Sequence, residues 1–420
     1  MKKLIIFLIS VILFTASIAR AEEVPLNIGE AITIALRDNS DILLKVEDVK
    51  KSKLDIEEAR ALLYPTLNVT STWARNRGYY TKDFGYLTNQ AALKQYLYKG
   101  GKTINTIKYN EYLLDVSETL LEKEQLETAL NVKKAFYTLL LAEKLAKLNK
   151  AILKNTKSHL GFIEARYKNG ELSGSDIIKI KSSLDSVKEE YEASLNQISS
   201  AQALLNSYLH LEKDVQIIPK EEFVYIIREI AYDEALLEAL KERPEIRQYL
   251  AQGKANEYNI EVTKADNRPN IYASWDYYNR SHGAAGTNKN WNDYNVIGIT
   301  FSWPIFDGFA TKAKVEQAIV DLREIEILKD KVARDIALEL KNAYLNLKNA
   351  IAKLNVVESN LKAYKDNLLT LKEKFNKGIA SFLDVDDAVL KHLISKFNRN
   401  QAVYDYIIAK GNFDKAMGGM

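Results

Sequence analysis

Toward the C-terminal end, three carboxylates fall within four residues: Asp384, Asp386 and Asp387. On a helix, the spacing of Asp384 and Asp387 puts both on one face about a turn apart. Taken alone, Asp384 is also an acid at a helix N-terminus, favoured by the dipole. Asp386 falls on another face and is expected to be solvated. The remaining reactive side chains do not converge. His159, His210, His282 and His392 are widely separated and form no H-x-x-x-H spacing, so no metal site is expected. Cysteine is absent, which excludes disulfides, thiolate ligands, a cysteine nucleophile and a cysteine-linked lipid. No G-x-S-x-G, Walker or dinucleotide sequence occurs in the right context, and the run Gly283–Gly286 reads as a flexible loop. The chain is expected to be no enzyme and to need no cofactor.

The elements that position these acids begin after a leader. Lys2 and Lys3, an apolar run from Leu4 to about Ile18, and Ala19-Arg20-Ala21 are the three parts of a secretory signal peptide over 1–21. No later apolar stretch is long enough to span a bilayer as a helix. Cleavage would remove three basic residues and leave 56 of each sign. The charges alternate along helices, which argues against nucleic-acid binding.

The rest of the chain is written twice. Glu30-Ala31-Ile32 aligns with Glu234-Ala235-Leu236, Tyr64-Pro65-Thr66-Leu67 with Arg268-Pro269-Asn270-Ile271, and Tyr98-Lys99-Gly100 with Phe306-Asp307-Gly308. Ala135-Phe136 aligns with Ala343-Tyr344, and Asn169-Gly170 with Lys377-Gly378. This predicts a first repeat over 22–218, a connection over 219–232 and a second repeat over 233–420. Each repeat runs through a helix (28–62, 233–266), a β-hairpin (66–98, 270–304) and a long helical hairpin (101–212, 309–416).

Proline is absent from Thr66 to Ile218 and from Ile305 onward, which permits very long helices. Leu340, Ala343, Leu347, Ala350, Leu354, Val357, Leu361, Tyr364, Leu368, Leu371 and Phe375 recur at 3,4 spacing. Val132, Ala135, Leu139, Ala142, Ala146, Leu153, Leu160, Ile163 and Tyr167 do so more loosely. Sustained heptads mean helices packed as in coiled coils. A helix from Lys102 to Lys168 would be roughly 100 Å long. Each long helix ends at a glycine, Gly170 or Gly378, followed by serine and aspartate as a new cap. The hairpin tips therefore fall at 169–176 and 377–384.

The segments between first and long helices alternate at period two and are aromatic and β-branched, as in Ile271–Tyr278, Val296–Trp303 and Leu67–Trp73. Strands of about ten residues suit a membrane barrel, or a soluble hairpin packed on the helical body. Four strands cannot sit open-edged in lipid. If they enter a membrane, the chain must oligomerise, two copies giving eight strands and three giving twelve.

With these landmarks the sequence resembles the TolC-like outer-membrane efflux family over essentially the whole mature chain. The resemblance rests on the duplication, the helix–hairpin–long-helix order, Pro65 and Pro269 before the strands, Gly100 and Gly308 after them, and the glycine tips. It implies a mainly α fold in which tandem-duplicated helical hairpins form a periplasmic tunnel. Two β-hairpins would give four strands per protomer of a twelve-stranded trimeric barrel in outer-membrane lipid. A periplasmic adaptor and an inner-membrane transporter are the implied partners, and a passive, tip-gated efflux or secretion duct the implied function. The alternative is a non-channel periplasmic adaptor or spacer. Family members close the tip with rings of inward-facing aspartates, which match Asp384 and Asp387. Their latch aspartate matches Asp176, beside Ser175, but the latch tyrosine is Phe375 here and the arginine Ala380, so a charged latch is mostly absent. Adaptor docking maps to Asn169, Gly170, Glu171 and Leu172, and to Lys377, Gly378, Ile379 and Ala380, which otherwise read as solvated turns.

Overall fold

A computed structural model describes residues 23–77, 84–212, 215–227, 231–283 and 290–419. The expected signal peptide and most of the Gly283–Gly286 run lie outside the described residues. In chain order the elements are β1 (Glu23–Leu26), α1 (Ile28–Asp38), α2 (Ser40–Ala61), β2 (Thr66–Asn76), β3 (Phe84–Lys99), α3 (Lys102–Lys168) and α4 (Gly174–Leu209). There follow β4 (Gln216–Pro219), α5 (Tyr232–Glu242), α6 (Pro244–Lys264), β5 (Asn270–Gly283), β6 (Asn290–Ser302), α7 (Ala310–Asn376) and α8 (Phe382–Met417). None of the described helices combines the length and apolarity needed to cross a membrane.

The helices expected over 28–62 and 233–266 are each broken in two, at equivalent positions and by different chemistry. Asn39, 5% exposed, turns extended (ψ 129°), and its Oδ1 accepts from Asp41 N (2.9 Å) and Ile42 N (3.4 Å). An asparagine side chain that caps the next helix competes with continuation of the first. In the second repeat Arg243 takes ψ 127° because Pro244 follows it, and the proline then opens α6.

Contacts divide the chain into two compact units, and α3 and α7 contribute residues to both. One unit holds the chain up to Leu43 with Gln125–Ala235 and Glu339–Met420. Here β1 and β4 pair in parallel, with Val24 opposite Ile217. The core is built around Phe136, Leu139, Leu205, Leu340, Tyr406 and Phe413. The expected heptad stripe of α7 is buried from Leu340 to Leu354, none of its five members more than 8% exposed. Toward the tips the stripes open: Tyr364 and Phe375 on α7 and Tyr167 on α3 are exposed, against expectation.

Residues 220–227, which lack regular structure, form a strap across three helices of this unit. Lys144 on α3 donates to both carboxylate oxygens of Glu222 at 2.7 Å. Phe223 stacks on Tyr137 (5.9 Å), Tyr225 donates to Glu358 on α7 (2.8 Å), and Tyr406 on α8 donates to the Ile226 carbonyl (2.6 Å).

The other unit holds Leu44–Glu124 and Leu236–Leu338. Its four-stranded antiparallel sheet has the order β2-β3-β5-β6, so the two hairpins join through β3 and β5. Among the described residues the outer strands β2 and β6 each have one partner. Cross-strand register sorts the side chains over much of the sheet, although on the face of Leu67 the row Ser71, Asn89, Asn279 and Asp293 is polar. Leu67, Leu93, Trp275 and Ile297 form one row across the sheet, while Thr72, Thr88, Arg280 and Asn292 form a row on the opposite face. On the apolar face Leu67, Val69, Trp73, Ile297, Ile299 and Phe301 are between 62% and 80% exposed. At the junction of β3 and α3, Gly100 lies at φ 61°, and a Cβ there would come within 2.7 Å of Arg268 Cβ.

Candidate functional site: the two helical tips

The residues singled out by sequence gather at the turns between α3 and α4 and between α7 and α8. Both turns use the same local chemistry. In the first, Gly170 takes φ 77°, and Gly170 N donates to Tyr167 O (2.9 Å) and Glu171 N to Arg166 O (3.0 Å). In the second, Gly378 takes φ 74°, with Gly378 N to Phe375 O (2.9 Å) and Ile379 N to Lys374 O (2.8 Å). This paired pattern satisfies the last helical carbonyls and needs a left-handed residue, hence the glycine.

Each return helix then starts from a serine and an aspartate. Asp384 Oδ2 accepts from Ser381 N (2.9 Å) and Ser381 Oγ (2.7 Å), and Asp384 N donates back to Ser381 Oγ (3.2 Å). Asp176 Oδ2 accepts from Ser173 N (3.1 Å) and Ser173 Oγ (2.9 Å), and Ser175 Oγ lies 2.6 Å from Ser173 Oγ. Hydrogen bonds from the serine side chain and then its backbone hold both carboxyls below the usual aspartate range. Asp384 and Asp176 are thus capping acids, whatever else they do.

The other tip residues separate by environment. Asp387 is exposed and pairs with Lys391 one turn on, at 2.7 Å, which raises the lysine's pKa. Asp386 is not merely solvated as expected. Its side chain is 15% exposed, with Oδ2 lying 3.8 Å from His159 Nδ1 on α3. Beside this contact the rings of Phe162 and Phe382 meet at 4.8 Å, and the Arg166 guanidinium lies over Phe162 at 5.5 Å. These contacts between α3 and α8 join the two hairpins, and sequence reasoning missed them. Arg166 also donates to Glu171 at 2.8 Å, which with its charge lowers that carboxyl's pKa. Phe375 is half exposed, Ala380 partly covered, and Asn169 and Lys377 exposed. The apolar residues after the glycines differ: Leu172 is half-buried, whereas Ile379 is 72% exposed. Among the described residues no group of three or more histidine or acidic side chains is placed to hold a metal ion.

Comparison with known proteins places this architecture. No curated protein sequence matches the chain. Solved structures do, at low identity. A membrane protein from Pseudomonas aeruginosa superposes with a TM-score of 0.77 at 17% identity, covering 93% of each chain. The MtrE outer membrane channel of Neisseria gonorrhoeae, in its open state, gives 0.76 at 18% identity over 94% of this chain and 89% of its own. The outer membrane protein VceC of Vibrio cholerae gives 0.75 at 16% identity over 93% and 96%. At such identities the likeness establishes the fold. The sequence profile of the outer membrane efflux proteins matches residues 31–209 and again 235–419, one match per repeat. With both repeats matched, the chain belongs to the outer membrane efflux protein family.

Proposed function

We propose that three copies of this chain form a passive export duct through the outer membrane, with a periplasmic tunnel gated at the α7–α8 tip. The sheet is the observation that carries it. A soluble sheet buries its apolar face, whereas here Val69, Ile297 and Ile299 point into solvent and the polar rows lie opposite. An apolar outside and polar inside is what a membrane barrel needs. The unpaired edges of β2 and β6 cannot stand in lipid. Copies joined edge to edge remove them, and three give the twelve strands that family resemblance implies. Exposed Leu345, Ala352, Val356 and Ala363 share one face of α7, a seam ready for a neighbouring copy.

In this reading the Phe162–Phe382 ring contact and the His159–Asp386 pair hold the closed tip, in place of a charged latch. Exposed Asp384 and Asp387 from three copies line the constriction and attract cations. A periplasmic adaptor meets the turns, where Ile379 offers the more exposed apolar contact, and an inner-membrane transporter supplies cargo and energy.

Planar-bilayer recording tests the reading. Wild type is expected to give small cation-selective currents blocked by a divalent ion. The Asp384→Ser, Asp387→Ser pair relieves the block, and Asp387→Asn, which spares the cap, relieves it in part. Unchanged selectivity in these variants would remove the acid gate and keep the duct. Folded protein that never conducts would remove the duct and leave a periplasmic spacer.

A further inference from the structure

Along α3, between the strap and the tip, Lys147, Lys150, Lys154 and Lys157 follow one another at 3,4,3 spacing and are all exposed. That spacing aligns them on one side of the helix. No ion pair joins any of the four to a described residue. They border two adjoining grooves. One, of about 720 Å³ between α3 and α4, is lined by all four lysines with Ala151, Leu153 and Tyr191. The other, of about 330 Å³ between α3 and α8, shares Lys147 and Ala151 and adds Lys144, Leu148, Leu393 and Phe397. The grooves thus have apolar floors and cationic rims. Because α3 has a helix of its own chain on either side, this face is no open edge awaiting a second copy.

The chain itself displays what such a rim takes. At the upper end of the row Glu222 of the strap reaches into the second groove, where Lys144 holds both its carboxylate oxygens at 2.7 Å. The strap also fixes which side of the wall this is. A segment crossing three helices on the inner side would obstruct a duct, so the strap and the lysine row that continues from it lie on the outer side. This last step rests on the proposed duct.

We infer that the lysine row is a lateral docking site for an amphipathic helix with acidic flanks, belonging to the periplasmic partner that also meets the tips. An apolar ridge fills the grooves, and carboxylates at 3,4 spacing continue downward what Glu222 begins. The row starts 13 residues above Gly170, so docking extends roughly 20 Å or more above the turn at 1.5 Å per residue. A purely tip-to-tip contact would not reach it.

The test uses the full chain in detergent and a labelled synthetic helical peptide with a leucine–alanine ridge flanked by glutamates. A second peptide carries lysines in place of the glutamates. The acidic peptide is expected to bind and the basic one not. Binding falls with salt and weakens about tenfold in the Lys147→Gln, Lys150→Gln, Lys154→Gln, Lys157→Gln variant, as for the loss of several exposed ion pairs. Since the natural chain lacks cysteine, a cysteine-bearing acidic peptide should cross-link to Ser158→Cys in the groove. Equal binding of the two peptides, or cross-linking only to Ile379→Cys at the tip, would overturn the site. So would lysine-dependent binding to purified peptidoglycan sacculi without peptide preference, which would make the row a cell-wall contact. Bilayer conductance of the same protein reads the duct separately. Conduction without peptide preference rejects the docking site alone. Peptide preference without conduction rejects the duct and leaves a carboxylate-binding row.

Discussion

At the scale of single residues, the tips show two glycines whose replacement should be mild, and the β3–α3 junction a third where it should not. A Cβ at Gly170 or Gly378 meets nothing within 4 Å, so only the left-handed backbone opposes alanine there, at about 1–2 kcal/mol. Gly100 adds to that the 2.7 Å approach to Arg268 Cβ and 3.1 Å to the Ala265 carbonyl. Gly100→Ala is therefore expected to lower the thermal midpoint clearly more than Gly378→Ala, read by circular dichroism in detergent. Acid should loosen the caps. Asp176 and Asp384 have lowered pKa values in the folded chain, so their contribution is complete above the unfolded carboxylate value near 4. It is lost as the pH falls below that value through the depressed one. Amide exchange at residues 174–176 and 382–384 should quicken in that window, relative to the helix interiors, and Asp384→Asn should show the faster exchange already at neutral pH. The serine–aspartate caps and the glycines are local signals, three or four residues long, and were legible in the sequence. The His159–Asp386 contact was not, because its partners belong to different repeats and only packing of α3 on α8 brings them together.

At the scale of elements, the hairpins were legible because their signals repeat: the heptads, the glycine turns and the paired prolines each occur in both halves. The breaks within the short helices escaped because one depends on an asparagine side chain folding back on its own backbone, a competition that apolar periodicity does not record. The other is visible in hindsight, since Pro244 restricts Arg243. Loss of the Phe162–Phe382 contact should favour the open tip. Such a pair is worth about 0.5–1.5 kcal/mol beyond its burial, so Phe382→Ala should raise the conducting fraction about two- to tenfold in bilayers. An unchanged fraction would mean that the ring pair does not hold the gate. The sheet offers a sharper discrimination. Ile297→Arg places a charge where the chain alone has 80% exposure, so a soluble sheet would tolerate it. On the lipid face of a barrel it should cost about 2–4 kcal/mol and reduce the yield of assembled channels.

At the scale of the whole molecule, family and fold were legible because landmark order survives where identity with the solved relatives has fallen to 16–18%. What the matched fold leaves to measurement is the assembly. Light scattering of the detergent complex, corrected for bound detergent, should give three times the mass of the mature chain. A monomer with stable, unpaired β2 and β6 would contradict the barrel.

In the proposed duct the strap between β4 and α5 would serve as a fulcrum. It ties α3, α7 and α8 together at the level of Lys144, Glu358 and Tyr406, and toward the tips α3 and α8 meet again at the Phe162–Phe382 rings and the His159–Asp386 pair. From Glu358 to Lys377 the part of α7 beyond the strap is roughly 29 Å long at 1.5 Å per residue. A tilt of about 15° at the strap would swing the tip by roughly 7 Å. If the acids form the proposed gate, a small rotation where the helices are held becomes a wide displacement at the tip, and shortening this arm should narrow the opened aperture without touching Asp384 or Asp387.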